Sequence, residues 1–374
     1  MMSTLFVAAA VLASTVVAYD PSRQDNLVLY YGQNSYGATN GDQAGWQKDL
    51  AEYCQDDVAD VIPLAFVNVY NSTGGFPEIN LANTCNAVDS GVFDGTNLAN
   101  CQFLADDISG CQAKGKIVTL SLGGATGAAS FANDAAGEEF AQTIWDLFFG
   151  GSSDKRPFGD AVLDGIDLDI EGGASTGYVA FVNKFRALSD GASKPYYVTA
   201  APQCPYPDAY MNPILDNVGV DAVYIQFYNN YCSVASGSIN FADWDNWAKT
   251  VSPNKDVKVF LGAPASATAA TSGYAAAQQV IDLANSAKGQ YSSFGGVMVW
   301  DASQAYANGR FDQALKAGIQ SGAAATASTS DVTPANDSEP VTISSSKEAC
   351  AVHLNGCRDA EDTSDVKGRS LEQL

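Results

Sequence analysis

Eight short runs of apolar and β-branched residues recur along the chain: Leu27–Tyr31, Val61–Val69, Lys116–Leu122, Gly165–Ile170, Tyr197–Ala201, Ala222–Phe227, Val257–Gly262 and Gly295–Trp300. Between them lie stretches of helical composition, such as Gly137–Phe149, Tyr178–Leu188 and Ser272–Ala287. Strands that alternate with helices form βα units, and βα units build a parallel sheet. Eight such units in about 300 residues predict a (β/α)8 TIM barrel of the α/β class. A doubly wound sheet is the competing architecture. It would need fewer strands and would normally offer a glycine-rich nucleotide loop.

The two ends of the chain read differently from this repeat. Residues 1–18 hold an apolar stretch from Leu5 to about Val17 and close on Val16-Val17-Ala18. The stretch is too short to span a bilayer, so the expectation is a cleaved secretion signal. No Lys or Arg precedes it, which departs from the usual signal pattern. The catalytic domain is expected over residues 19–322. From residue 323 to 374, Ala, Ser, Thr, Asp and Glu dominate without apolar periodicity, which reads as a disordered low-complexity tail. The expected location is therefore secreted, extracellular or in a cell wall. In an oxidising compartment an even count of eight cysteines implies disulfides rather than metal ligands. Cys350 and Cys357 suit a small loop within the tail. Asn71 and Asn336 head glycosylation sequons, which have meaning only in a secreted chain.

Charge and histidine content narrow the chemistry. A net charge of −23 opposes nucleic acid and anionic membrane surfaces as partners and leaves neutral or cationic substrates. The single histidine, His353, lies in the tail. A Ser-His-Asp triad, a Cys-His pair or a histidine-ligated zinc site thus has no histidine in the folded region. Catalysis must run on carboxylates, hydroxyls, amides or a cofactor, and no metal site is expected.

One predicted strand is anomalous. In Leu163–Gly173, LDGIDLDIEGG, the residues Ile166, Leu168 and Ile170 alternate with Asp167, Asp169 and Glu171. In a barrel the apolar set faces the helices, so the three acids face the interior, where branched apolar side chains are the norm. Burying unpaired carboxylates costs several kcal/mol each. Neighbouring buried acids share protons, and at least one is held protonated by a raised pKa, as a general acid requires. Glu171, last in the row, would stand at the C-terminal mouth. A calcium loop starting at Asp167 would put Tyr178 where the twelfth position requires Glu. An edge strand with acids facing water fits poorly with Phe158, Val162 and Leu163 just before it. Asp164 lies outside the alternation and reads as a strand-entry residue beside Gly165.

The segment DGIDLDIE, Asp164 to Glu171, resembles the D-G-x-D-x-D-x-E signature of family 18 glycoside hydrolases, the chitinases. SLGG at Ser121–Gly124 is similar to that family's other motif. YYGQN at Tyr30–Asn34, AAPQCPYPD at Ala200–Asp208, QFYNN at Gln226–Asn230 and GGVMVW at Gly295–Trp300 resemble segments of its class III, plant- and fungal-type branch. The likeness runs from about Asn26 to Ala317. It implies Glu171 as the general acid and a retaining mechanism without a protein nucleophile, an exception to the two-carboxylate scheme. The substrate's acetamido carbonyl would attack the anomeric carbon to give an oxazolinium ion. Asp169 would hold the acetamido N–H, Asp167 would support Asp169, and Tyr228 would steady the acetamido oxygen. Trp300 would floor the sugar, with Gln226, Asn229, Tyr30 and Gln33 lining the cleft. Plain packing competes as a role for Trp300 and Tyr30, and loop capping for Gln33 and Asn229.

The resemblance also implies disulfides Cys54–Cys111, Cys85–Cys101 and Cys204–Cys232, and cis peptides at Ala65–Phe66 and Trp300–Asp301. The expected activity is that of an endo-acting chitinase, without cofactor, acting as a monomer on chitin or chito-oligosaccharides. An endo-β-N-acetylglucosaminidase acting on N-glycans shares the acidic motif. A non-catalytic lectin or inhibitor on the same barrel typically lacks the acid or the middle Asp, and both Glu171 and Asp169 are present.

Overall fold

A computed structural model describes residues 19–125 and 129–321. The expected signal, the tail with Asn336, His353, Cys350 and Cys357, and residues 126–128 lie outside the described residues. Among the described residues nine strands appear: β1 (Asn26–Leu29), β2 (Val61–Val69), β3 (Glu78–Ile79), β4 (Ile117–Gly124), β5 (Gly165–Ile170), β6 (Tyr197–Ala200), β7 (Ala222–Gln226), β8 (Lys258–Pro264) and β9 (Phe294–Trp300). All but β3 are parallel, and β1 pairs with both β2 and β9, which closes an eight-stranded barrel. The expected barrel is thus formed, and the doubly wound alternative is excluded by closure. β3 was not legible in the sequence. It is two residues long and runs antiparallel along β2, pairing Val67 with Ile79.

The helical segments fall close to their expected places, at Asp134–Phe148, Tyr178–Ser189 and Ala277–Gln290. The last begins five residues later than its composition suggests. Ser272 is held in a loop, because its carbonyl accepts from the Asn229 N–H and its own N–H donates to Asn229 Oδ1. Gly273 follows with φ +98, a conformation that stops a helix from starting there. Phe311–Ser321 is the last described helix.

Alternation sorts the side chains into two cores. Ile166, Leu168 and Ile170 face outward and pack with helix residues such as Ile144, Phe181 and Phe185. Val28, Tyr30, Ala65, Phe66, Tyr224, Phe260 and Met298 fill the barrel interior. Three disulfides, Cys54–Cys111, Cys85–Cys101 and Cys204–Cys232, join the loops in the pairs expected. The peptides Ala65–Phe66 and Trp300–Asp301 are cis, as is Tyr206–Pro207. Among the described residues no helix is long and apolar enough to cross a membrane.

The N-terminal end of the barrel is tied by buried charge. Asp60 accepts the Leu27 N–H at 2.7 Å and pairs with the buried Lys316 ammonium, which also donates to the Asp25 carbonyl at 2.9 Å. Asp164, the strand-entry acid, accepts from Val118 N–H, Gln112 and Lys194 at 2.7–2.8 Å. Breaking a buried pair leaves the partner charge uncompensated. Lys316→Met is therefore expected to cost about 3–5 kcal/mol in urea unfolding, and the Asp60→Asn/Lys316→Met double variant distinctly less. Equal losses for the single and double variants would refute this account.

Candidate active site

The acids of β5 stand where the alternation puts them. β5 lies between β4 and β6 and is buried throughout, so the edge-strand alternative does not apply. Asp167 is fully buried inside the barrel and meets three hydroxyl donors. Its Oδ2 accepts from Tyr30 Oη at 2.6 Å and Ser121 Oγ at 2.7 Å, and its Oδ1 from Thr199 Oγ1 at 2.7 Å. Tyr30 therefore sits beneath the cleft, only 1% exposed, rather than on its surface.

Asp169 comes next along the strand, and its Oδ1 accepts from Gln226 Nε2 at 2.9 Å. Gln226 also donates to the Ala201 carbonyl at 3.0 Å, so its amide nitrogen is spent on the protein. The Asp169 and Glu171 carboxyls are neighbours, and each affects the other's ionisation. Burial first, and then the charges of Glu171 and Asp167, hold Asp169 well above the usual carboxylate range. Burial also raises Glu171, although hydrogen bonds from its neighbours oppose the shift. Asp167 is raised by burial as well, against the lowering effect of its three hydroxyl donors. Neighbouring carboxyls whose pKa values are raised at a barrel mouth can hold a proton for donation.

Close backbone approach makes this packing possible. Gly123 has φ +105, and a Cβ there would stand 2.5 Å from the Asp169 carbonyl oxygen. At Gly124 a Cβ would press on the Phe66 ring at 2.9 Å. The SLGG segment thus supplies one hydroxyl to Asp167 and two positions without side chains beside Asp169 and the cleft.

The cleft has a volume of about 240 Å³ and is lined by Gln33, Phe66, Asn68, Gly124, Glu171 and Trp300 among others. The Trp300 ring is part-exposed and packs against Phe66, centroids 5.9 Å apart and stacked, and against Tyr30 at 5.5 Å. Asp301 fixes the backbone beyond it by accepting from Ser35 N–H at 3.0 Å and Ser303 Oγ at 2.7 Å. Gln33 donates to the Ala65 and Asn80 carbonyls at 2.9 and 3.1 Å. Tyr228 is buried near Asp169 and Glu171, and burial with their charges raises its phenol far above the usual value.

Two neighbouring amides divide their work unexpectedly. Asn229 is exposed, has φ +58, and spends its side chain on Ser272. Asn230 instead donates to Gln203 Oε1 at 3.2 Å, and Gln203 Nε2 reaches Glu171 Oε2 at 3.4 Å. Gln203 was missed as a site residue. It lies inside AAPQCPYPD, and its neighbour Asp208, which accepts the Gln203 N–H at 2.8 Å, was the available signal. Asn71 is exposed. Among the described residues no cluster of His, Cys, Asp or Glu is arranged to hold a metal ion.

The raised carboxyl pKa values have a consequence for stability. Asp169 and Glu171 bind protons more tightly in the folded than in the unfolded chain. Their contribution is complete below the ordinary carboxylate pKa of about 4 and is lost as pH rises through the raised values. Asp169→Asn keeps an acceptor for Gln226 and removes the repulsion. It is expected to raise the thermal unfolding midpoint by a few degrees at pH 7, with the gain vanishing near pH 3. A gain that is independent of pH would contradict the raised pKa values of this pair.

Comparison with known proteins agrees with this geometry. Residues 26–293 match the model of glycosyl hydrolases family 18. Chitinase 1 of Rhizopus niveus is 49% identical over 90% of this chain and 66% of its own length. A class III chitinase of Arthroderma benhamiae is 46% identical over 78% of this chain and 89% of its own. The crystal structure of ICChI chitinase from Ipomoea carnea superposes with a TM-score of 0.66 at 30% identity, covering 78% of this chain and 99% of that one. The chain spans about half to two thirds of several fungal relatives. With the acidic strand inside the matched region, the chain belongs to glycosyl hydrolases family 18.

Proposed function

We propose that this chain is a secreted, endo-acting chitinase that hydrolyses β-1,4 bonds between N-acetylglucosamine units with retention of configuration. The observation that carries the reading is the row of Asp167, Asp169 and Glu171 leading from the barrel interior to its mouth, with Glu171 and Trp300 lining one cleft. Its substrate is chitin or chito-oligosaccharide, and its role is fungal cell-wall remodelling or chitin degradation.

In this mechanism the sugar lies with its apolar face on Trp300. Glu171 delivers a proton to the glycosidic oxygen while the acetamido carbonyl oxygen attacks the anomeric carbon from the opposite face. The C–O bond breaks, the leaving chain departs as an alcohol, and an oxazolinium ion remains. Asp169 holds the acetamido N–H and balances the positive charge in a site screened from water. Asp167, fixed by Tyr30, Ser121 and Thr199, stands behind Asp169 and supports it. The Tyr228 phenol, kept protonated by burial, is the donor for the acetamido oxygen. Glu171, now a carboxylate, takes a proton from the water that opens the ring. Inversion occurs twice, so configuration is retained.

Glu171→Gln is expected to lower kcat about 10²–10⁴-fold while chito-oligosaccharide binding persists, the usual worth of a general acid. Turnover near the parent rate would remove Glu171 from this role. Asp169→Asn should cost about 10²–10³-fold in kcat, as loss of an oxyanion-type partner does.

The acid works only when protonated, so kcat should fall as pH rises through the raised value, giving an acidic optimum. A rate that is flat from about pH 4 to 8 would oppose this. Mass spectrometry of the products from chitin and from defined oligomers separates endo from exo action, and N-glycan release would favour the endo-β-N-acetylglucosaminidase alternative.

A further inference from the structure

Glu171 is the one acid of the row that the strand ladder does not hold. β5 ends at Ile170, so Glu171 stands one residue beyond it, followed by Gly172 and by Gly173 at φ +79. Its side chain needs partners from elsewhere in the chain. Gln203 supplies one, with Nε2 at 3.4 Å from Glu171 Oε2. That distance is long, as catalytic hydrogen bonds often are before substrate binds.

Gln203 is held more firmly than one long contact needs. The buried Asp208 accepts the Gln203 N–H on Oδ2 at 2.8 Å and the Tyr210 and Met211 N–H groups on Oδ1 at 2.8 and 2.7 Å. Asn212 Oδ1 in turn accepts the Asp208 N–H at 2.6 Å. Cys204, the next residue, donates its N–H to the Gln226 carbonyl at 3.3 Å. The Cys204 carbonyl accepts from Asn240 Nδ2 at 2.9 Å and Trp244 Nε1 at 3.1 Å. The Cys204–Cys232 disulfide joins this segment to the one that carries Asn230.

The same network decides which end of the Gln203 amide faces the acid. Asn230 Nδ2 donates at 3.4 Å to the Tyr228 carbonyl, a group that can only accept, so this end of Asn230 is its NH2. That nitrogen also lies 3.2 Å from Gln203 Oε1. Gln203 thus spends its oxygen on Asn230 and has its NH2 left for Glu171. An N–H donor engages the carboxyl oxygen that carries no proton, which leaves the acid proton to Oε1 of Glu171.

We propose that Gln203 is a positioning residue for the acid: it fixes the orientation of the Glu171 carboxyl and assigns the transferable proton to Oε1, and Asn230 acts through it by setting the direction of the Gln203 amide. This rests on the reading of Glu171 as the general acid of a chitinase. The titratable groups facing Glu171 are Asp169 on β5, Asp208 after β6 and Tyr228 after β7, and the test leaves all three in place. An N–H donor favours the carboxylate, so its removal raises the titration midpoint of Glu171.

The test follows the Glu171 carboxyl by carboxyl-carbon NMR across pH in the full chain with labelled glutamate, the signal being assigned with Glu171→Gln. Hydrolysis of chitohexaose is measured alongside. Gln203→Met keeps the bulk and removes the donor. It is expected to raise the midpoint by about half to one pH unit, as loss of a hydrogen bond to a charged group does. It should also lower kcat about tenfold with KM within about twofold, as misorientation of a reacting group does. Asn230→Leu should move both readings in the same directions by less. The double variant should match Gln203→Met alone within about twofold, because Asn230 acts through Gln203. Both residues are part-exposed, so the substitutions leave folding intact. A general loss of folded protein would lower kcat without moving the midpoint. A midpoint unmoved by Gln203→Met, or kcat losses that multiply in the double variant, overturns the proposal. If the parent fails to hydrolyse chitohexaose while the midpoint responds as expected, the chitinase reading falls and the positioning of Glu171 by Gln203 stands.

Discussion

The cost of keeping three carboxylates inside a barrel shapes this molecule. Asp167 is tolerable only because Tyr30, Ser121 and Thr199 bring hydroxyls to it from three other strands or their ends. Each donor comes from a different part of the chain, so one buried acid fixes the relative register of β1, β4, β5 and β6. Asp169 and Glu171 lack such a cage, and burial raises the pKa of both. Full satisfaction of the first acid and deliberate under-satisfaction of the next two divide a structural anchor from a reactive pair.

That division depends on backbone as much as on side chains. β4 ends in two glycines because Asp169 and Phe66 occupy the space that side chains would need. Phe66 in turn stacks on Trp300, and Trp300 leads into Asp301, whose carboxylate ties the end of β9 to the loop after β1. The cleft is therefore a closed circuit of contacts around the barrel mouth.

Much of this was legible before any coordinates. Eight apolar runs gave the barrel, because buried parallel strands leave a nearly continuous hydrophobic signal. The alternation in Gly165–Ile170 placed the acids inward. β3 escaped notice because two residues carry no period. Gln203 escaped because its contact with Glu171 is made by a loop 32 residues away, and loops have no repeat to read. Asn229 and Asn230 are chemically identical neighbours. Only the left-handed backbone at Asn229 sends its amide to Ser272 and leaves Asn230 to hold Gln203.

By itself the sequence determined the strand order, the inward face of β5 and the family, because these follow from periodicity and from residue types at fixed spacing. Tertiary structure alone decided which donors reach which carboxylate and that Tyr30 lies beneath the cleft. Those outcomes depend on distances between segments far apart in the chain, which closure of the barrel sets and local pattern does not encode.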